Sequence, residues 1–340
     1  MKIESDKRVL LAHGSGGKMT QELVESVFAG RFGNEILARM DDAASFDCEG
    51  RLALSVDCHV VSPLFFPGGD IGRLSVTGTV NDLSMVGARA VYMTAGFIIE
   101  DGFPIADLEM IADSMSSAAK EAAVDVIAGD TKVVEKGAAD GIFITTNGIG
   151  VIPAGVHISG AGARPGDTVI VSGTVGDHGI TILCQREGLN LETKLESDCA
   201  PLGGLVNDML AASPRIHAMR DPTRGGLATT LNELAASSGV SIEIDERKIP
   251  LRNAVHAACE LTGLDPLAMA NEGKLVAIVA AQDAELIVAA MKENSLGRDA
   301  AIIGSVGPSD KGRPRVFCRT PLGSRRILTM PAGEQLPRIC

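Results

Sequence analysis

Between Pro153 and Gly166 the chain crosses a stretch dense in glycine, proline and alanine, where neither helix nor strand is favoured. On each side of it, apolar strands and amphipathic helices begin to alternate afresh. That break divides the 340 residues into two α/β units of ordinary domain size. We expect an N-terminal domain over 1–153, a C-terminal α/β domain over 154–322, and a flexible tail over 323–340. The tail holds Pro331, Gly333 and Pro337, each of which works against a regular helix.

In the first half a helix is expected with Leu23, Val24, Val27 and Phe28 on one face. Strands are read at Arg51–Val61, Ala90–Ile99, Val124–Ala128 and Ile142–Val151. Helices are read at Asp70–Val86 and at Pro104–Ala123, where the proline sits at the start. The second half reads as strands at Asp167–Ser172, Ser241–Ile244, Lys274–Ala280, Ala301–Val306 and Arg315–Arg319. Its helices fall near Gly179–Glu187, Leu202–Ala212, Gly225–Ser238, Arg252–Thr262 and Ala284–Glu293.

Composition removes several functions. Net charge is −12, so no basic face is available to neutralise a nucleic-acid backbone. Aromatic residues are 3% with no tryptophan, which makes base stacking on aromatic platforms improbable. Seven cysteines without any C-x-x-C spacing suit reduced thiols better than a disulfide framework or a zinc site. Neither a signal segment nor eighteen consecutive apolar residues is present, so a cytoplasmic location is expected.

Four carboxylate spots stand at the ends of apolar elements: Asp41-Asp42-Ala43, Ser55-Val56-Asp57, Asn81-Asp82-Leu83 and Gly129-Asp130-Thr131-Lys132. Singly, each reads as a cap or turn residue. Together, with Asp82 inside an otherwise apolar helix, they suit a magnesium nucleotide, because magnesium takes oxygen ligands and keeps substrate phosphates in its shell. Lys132 adds a cation beside Asp130, as phosphoryl transfer requires. The opening His13-Gly14-Ser15-Gly16-Gly17-Lys18 is neither a Walker loop nor a dinucleotide fingerprint. It reads equally as a flap over phosphates or as a surface turn. Asp221-Pro222-Thr223-Arg224-Gly225-Gly226 leads into a helix, and Asn271-Glu272-Gly273-Lys274 precedes an apolar strand. Each reads equally as a ligand-facing element or an ordinary turn. His178 reads as a cap or packing residue. Cys340 ends the chain, where packing does not explain a thiol. Ten residues from Pro331 reach about 33–36 Å when fully stretched.

These motifs, with Phe65-Phe66-Pro67-Gly68-Gly69-Asp70-Ile71-Gly72, Gly78-Thr79-Val80-Asn81-Asp82-Leu83 and terminal Pro337-Arg338-Ile339-Cys340, resemble the HypE family of hydrogenase maturation factors. The resemblance spans essentially the whole chain. Its Asp and Gly motifs are common to the wider superfamily of aminoimidazole ribonucleotide synthetase, selenophosphate synthetase and thiamine-phosphate kinase; the terminal cysteine motif narrows it. Ser84 stands where that family would have Ala. The resemblance implies a two-domain aminoimidazole ribonucleotide synthetase-like α/β fold with mixed sheets and a mobile tail. It implies ATP-dependent dehydration of a carboxamide on Cys340 to a protein-bound thiocyanate, which supplies the cyanide ligands of nickel–iron hydrogenase. The implied cofactors are ATP and Mg2+, with Asp42, Asp57, Asp82 and Asp130 at the metal. Gly14, Gly16, Gly17, Lys18, Asn81, Thr131, Asn147, Asp221 and Thr223 would hold the nucleotide, and Lys132 and Glu272 would handle protons beside Cys340. The implied partners are a second copy joined through the N-terminal domains, the carbamoyltransferase HypF and the HypC–HypD scaffold complex.

Chemical need points the same way. An amide oxygen is a poor leaving group until it is phosphorylated, and two N–H protons must then be removed. A lysine that acts as base needs burial or a neighbouring cation. Two other readings compete: a selenophosphate synthetase-like phosphotransferase, and a non-enzymatic scaffold with a docking tail.

Overall fold

A computed structural model describes residues 7–14, 18–39, 43–189, 195–309, 311–333 and 336–340. Gly16, Gly17, Asp41 and Asp42 lie outside the described residues. The first helix is not regular. The α-helical turns α1 (Lys18–Leu23) and α2 (Gly30–Phe32) are joined by a π-helical turn over Val24–Ala29. Val27 and Phe28 still reach the core, as their spacing predicts.

The N-terminal sheet is built from β1 (Arg51–His59), β4 (Arg89–Glu100), β5 (Asp125–Val134) and β6 (Ile142–Ile152), in the order β1-β6-β4-β5. Its β1–β6 and β6–β4 pairs are antiparallel, while β4–β5 is parallel. The parallel pair needs a crossover, which α4 (Ile105–Glu121) supplies. A short hairpin, β2 (Phe65–Phe66) with β3 (Gly69–Asp70), leads into α3 (Ile71–Met85). Asp70 caps α3 by accepting from the amides of Gly72 (2.6 Å) and Arg73 (3.0 Å).

Helix α3 is buried nearly all round, the pattern of a helix enclosed by a core rather than lying on a surface. Two of its glycines are there for close approach. A Cβ on Gly72 would stand 2.3 Å from the Ile111 carbonyl of α4, and one on Gly78 would stand 2.9 Å from Asp57 Oδ2 of β1. The helix therefore lies tight against the inner face of the sheet. The outer face of β1 is bare: Leu52, Leu54 and Val56 are 51%, 75% and 61% exposed.

The second sheet has the order β13-β12-β9-β11-β7-β10-β8. Its strands are β7 (Thr168–Val171), β8 (Ile216–Arg220), β9 (Val240–Asp245), β10 (Val276–Val279), β11 (Ala301–Pro308), β12 (Val316–Arg319) and β13 (Arg325–Leu328). Around it pack α5 (Asp177–Glu187), α6 (Gly203–Ala212), α7 (Gly226–Ser238), α8 (Asn253–Thr262) and α9 (Ala284–Glu293). Strand β10 is apolar at every position because both of its faces are covered. Val276 and Ile278 meet α7, while Ala277 and Val279 meet α6 and α9.

In the second sheet two strands were not anticipated, and in the first half the short β2 and β3 were not either. β8 is short and alternates too briefly to stand out, and β13 carries two arginines inside the segment read as tail. The tail expectation is corrected there: Arg325–Leu328 is the edge strand of the second sheet, paired with β12. The end of the chain is also fixed rather than free, as described below. The mixed α/β class and the two-sheet architecture agree with the sequence reading.

Candidate active site

The two sheets meet across α3, and the join is polar. Asn81 is 1% exposed and spends its whole amide there. Its Nδ2 donates to the carbonyls of Ala200 (3.1 Å) and Glu272 (3.3 Å), and its Oδ1 accepts from the Leu202 amide (2.7 Å). Arg73 Nε donates to the Cys199 carbonyl (2.9 Å), and the Ser197 amide donates to the Pro67 carbonyl (2.8 Å). The side chain predicted to hold nucleotide is thus an inter-domain clasp.

At the next residue of α3, Asp82 accepts from Ser55 Oγ of β1 (2.6 Å). Asp57 lies beside it on the same face of β1 and accepts from the Cys58 amide (2.9 Å). Burial raises the pKa of both, and Asp57 raises that of Asp82 further by like-charge repulsion. Buried His59, 3.6 Å from Asp57 Oδ2, is driven down to about 4, first by burial. Asp221 follows the last residue of β8, and burial with the neighbouring Asp82 lifts it to about 7. Glu272 precedes β10 and is 3% exposed. Its Oε1 has no hydrogen-bond partner among the described residues. Burial, then Asp221, Asp57 and Asp198, hold it well above the usual carboxylate range. Asp198 accepts from the Glu272 amide (2.9 Å) and is paired with Lys274 (3.3 Å).

The chain terminus is bound into this cleft. The Val60 amide donates to the Cys340 main-chain oxygen (3.0 Å), and the Ser62 amide donates to the Arg338 carbonyl (3.2 Å). The tail therefore continues alongside the chain that leaves β1. His178, fully buried at the start of α5, has its Nε2 2.8 Å from the Ile339 carbonyl and its Nδ1 2.8 Å from Ser197 Oγ. Arg186 donates to the carbonyls of Ser62 (2.5 Å), Pro337 and Arg338. Arg338 donates from Nε to the Val60 carbonyl (2.9 Å) and pairs with Asp140. Ile339 is 5% exposed, and Cys340 packs on the N-terminal core. Burial pushes the Cys340 thiol up, with Glu272 adding to the shift and Arg224 opposing it.

The remaining predicted residues are elsewhere. Asp130 and Lys132 are on β5, the opposite edge of the four-stranded sheet from Asp57. They pair with Gly96 and Ile98 of β4, on the outer face. Their ion pair is 2.8 Å long and both side chains are exposed, Lys132 at 63%. Hydrogen bonding from Lys132 lowers the Asp130 pKa. The burial or second cation that a lysine base needs is not provided for Lys132 by the described residues of one chain. Asn147 is on the outer face of β6 and donates to Thr94 Oγ1 (3.1 Å). Lys18 is exposed and pairs with Glu22 (3.6 Å). Gly14 packs on β5, where a Cβ would stand 2.4 Å from the Val133 amide nitrogen. Thr223 gives its carbonyl to the Gly226 amide (3.0 Å). Thr131 and Asp130 wall a cavity of about 240 Å³ with Phe28, Phe32, Leu37 and Thr20, whose buried hydroxyl has no partner among the described residues.

The structure therefore gathers Asp57, Asp82, Asp221, Glu272 and Cys340, and sets Asp130, Thr131 and Lys132 apart. His178 and Arg186, which hold the tail, were missed as functional residues. A histidine near a helix start gives no hint of a partner more than a hundred residues away. Among the described residues no three His, Cys, Asp or Glu side chains form a metal-holding group, and no helix is long and apolar enough to cross a membrane.

Models of the AIR synthase related protein family match residues 40–152 (N-terminal domain) and 164–317 (C-terminal domain). Carbamoyl dehydratase HypE of Cupriavidus necator is 54% identical over 335 residues, covering 98% of this chain and 95% of that protein. A crystal structure of hydrogenase maturation protein HypE in complex with ATP superposes with a TM-score of 0.94 at 48% identity, over 97% of this chain and 99% of that one. The HypE chain of a HypE–HypF complex gives 0.80 at 49% identity, over 91% and 99%. With both domains matched and relatives this similar over nearly their full length, the chain belongs to the HypE family of carbamoyl dehydratases, within the AIR synthase related proteins.

Proposed function

We propose that this chain dehydrates a carboxamide carried on the Cys340 thiol to a thiocyanate, with ATP as the co-substrate, in the maturation of nickel–iron hydrogenase. The observation that carries the reading is the docked terminus. A thiol at the end of the chain is held by His178, Arg186 and main-chain bonds beside a buried carboxyl with a free oxygen. Neither a small-molecule phosphotransferase nor a scaffold needs that arrangement. Docking also makes delivery of the amide intramolecular, which replaces a bimolecular encounter.

Each group has a task. Cys340 holds the carboxamide through its sulfur. Glu272 handles the amide protons, and its raised pKa makes it an acid until an opposing charge arrives. Asp57 and Asp82 are the residues of this cleft that would hold magnesium. The fit rests on two partly buried carboxylates that repel each other without a cation between them. Magnesium bound there would supply positive charge at the ATP phosphates. The apolar cavity beside Asp130, where the Thr20 hydroxyl has no partner among the described residues, suits the nucleotide's base.

Carboxylates at two edges and two faces of one sheet cannot converge within one chain. We therefore assign the bare outer face of β1 to pairing with a second copy, so that each site takes Asp57 and Asp82 from one chain and Asp130 and Lys132 from the other. HypF is the partner that loads the carboxamide, and a HypC–HypD complex is the acceptor of the cyano group. The protein is incubated with the carbamoyltransferase, carbamoyl phosphate and ATP, and its intact mass is followed. A carboxamide adduct on Cys340 that loses one water only when ATP is present is the expected result. An adduct elsewhere, or one that never loses water, refutes the reading.

A further inference from the structure

Among the described residues, every cation named around the cleft except Arg224 is engaged. Arg220 pairs with Glu233 (2.9 Å), Arg252 with Asp177 (3.3 Å), Lys274 with Asp198 (3.3 Å), and Arg186 holds the tail carbonyls. Arg224 makes no hydrogen bond and no ion pair among the described residues. It is nevertheless close enough to Asp57, Glu272 and Cys340 for its charge to act on all three. Arg224 lines a cavity of about 240 Å³ that is also walled by Met269 and by Ile339, the residue before Cys340. Gly225 and Gly226, both at positive φ, turn the chain there. A Cβ on Gly226 would stand 2.4 Å from the Met269 carbonyl, so the loop that carries Arg224 is fixed against the segment leading to Glu272. At roughly 30 Å³ per water, the cavity has room for a phosphoryl group.

We propose that Arg224 is a catalytic residue whose guanidinium binds the oxygen of the Cys340-borne carboxamide and the phosphoryl group that this oxygen receives. This rests on the reading that Cys340 carries the carboxamide. In the first step the carboxamide oxygen attacks the γ-phosphorus of ATP. An O–P bond forms, the P–O bond to ADP breaks, and one N–H proton is released. In the second step the C–O bond breaks and its electron pair leaves with the phosphate. The second N–H proton is lost as the carbon–nitrogen triple bond closes. Negative charge is carried by the phosphoryl oxygens in both steps, and it grows on the former carboxamide oxygen as that atom leaves in the second. An arginine is the appropriate group to meet it: it offers a planar pair of donors to phosphate, stays charged, and does not compete as a base. Lys132 cannot take this role in the same chain, because it is on the far sheet edge and paired with Asp130.

The test uses full-length protein loaded with the carboxamide. Single-turnover dehydration is followed by intact mass, and inorganic phosphate is titrated calorimetrically into protein carrying ADP and magnesium. Arg224→Gln is expected to slow dehydration by about 100-fold or more, the scale of losing one oxyanion donor. Its affinity for ATP with magnesium should stay within about threefold, and its affinity for phosphate should fall by at least about tenfold, the scale of one lost charged contact. Arg224→Lys should recover part of both losses. A Gln variant that dehydrates within about fivefold of the parent rate overturns the proposal. So does a slow variant whose phosphate affinity is unchanged, since Arg224 would then only place the tail. If the parent protein does not dehydrate the carboxamide at all, the function proposed above fails. Phosphate affinity still decides for or against the Arg224 contact in that case.

Discussion

The two edges of the four-stranded sheet carry carboxylates of one kind and treat them in opposite ways. At the β1 edge, Asp57 faces α3, which carries Asp82; burial raises both, and Asp57 raises Asp82 further. At the β5 edge, Asp130 is exposed, neutralised by Lys132 at 2.8 Å and lowered in pKa. A pair of partly buried, mutually repelling carboxylates is costly unless something positive binds them. An exposed ion pair is stable as it stands and contributes little. In the proposed function, the first edge would hold the metal and the second would act only with another surface brought to it.

The sharpest way to break this comparison is to damage each edge separately. Asp82→Asn and Asp130→Asn are each expected to lower single-turnover dehydration by about 100-fold or more, as loss of a charged group at a reacting centre does. If each site draws one edge from each copy, co-refolding the two variants in equal amounts restores about one quarter of the parent activity, because half the dimers are mixed and each holds one intact site. Recovery of none places both edges in one chain's site and overturns the pairing. Stability separates the regions next. Asn81→Ala removes three bonds of the buried clasp and should cost about 2–4 kcal/mol in chemical denaturation. A cost below about 0.5 kcal/mol would mean the domains hold together without it.

The pH dependence follows from Asp221. Its carboxyl titrates near 7 in the folded chain and near the ordinary 3.8 when unfolded. At about pH 3 and below, both states are protonated and the group has no effect. As pH rises toward 7 the unfolded state loses the proton while the folded state keeps it, so stability of the nucleotide-free protein falls and then levels off. Asp221→Asn removes that fall and should be about 1–4 kcal/mol more stable than the parent at pH 8, and equal to it at about pH 3. Parallel curves would contradict the burial argument. The smallest effect belongs to the open edge: Asp130→Asn should shift stability by less than about 0.5 kcal/mol at any pH from 5 to 8.

How much of this was legible beforehand follows the same division. Strands and helices with strong periodicity, such as α4 and the apolar run of β10, were readable because burial leaves its period in the chain. Asp82 stood out because a carboxylate inside an apolar helix is conspicuous. The placing of Asp130 on the opposite face was not readable, since strand order and facing are tertiary facts. Asn81 was assigned to the nucleotide only through the family resemblance, and its clasp on Ala200, Leu202 and Glu272 joins segments distant in sequence, which no local pattern announces. Arg186, an ordinary arginine late in α5, carried no signal that it would hold the tail. Arg224 was within reach, inside Asp221-Pro222-Thr223-Arg224-Gly225-Gly226, yet only the structure shows it near Cys340 with no hydrogen bond or ion pair among the described residues.

The central claim is that the oxygen of an amide borne on Cys340 is the atom that accepts the phosphoryl group of ATP. Loading the thiol with a carboxamide labelled in its oxygen by a heavy isotope, adding ATP and collecting the phosphate tests it directly. Transfer of one labelled oxygen to each phosphate, matched by loss of water mass from the C-terminal peptide, is the predicted result. Unlabelled phosphate would mean that water, and not the carboxamide on Cys340, attacks the nucleotide, and would contradict the account.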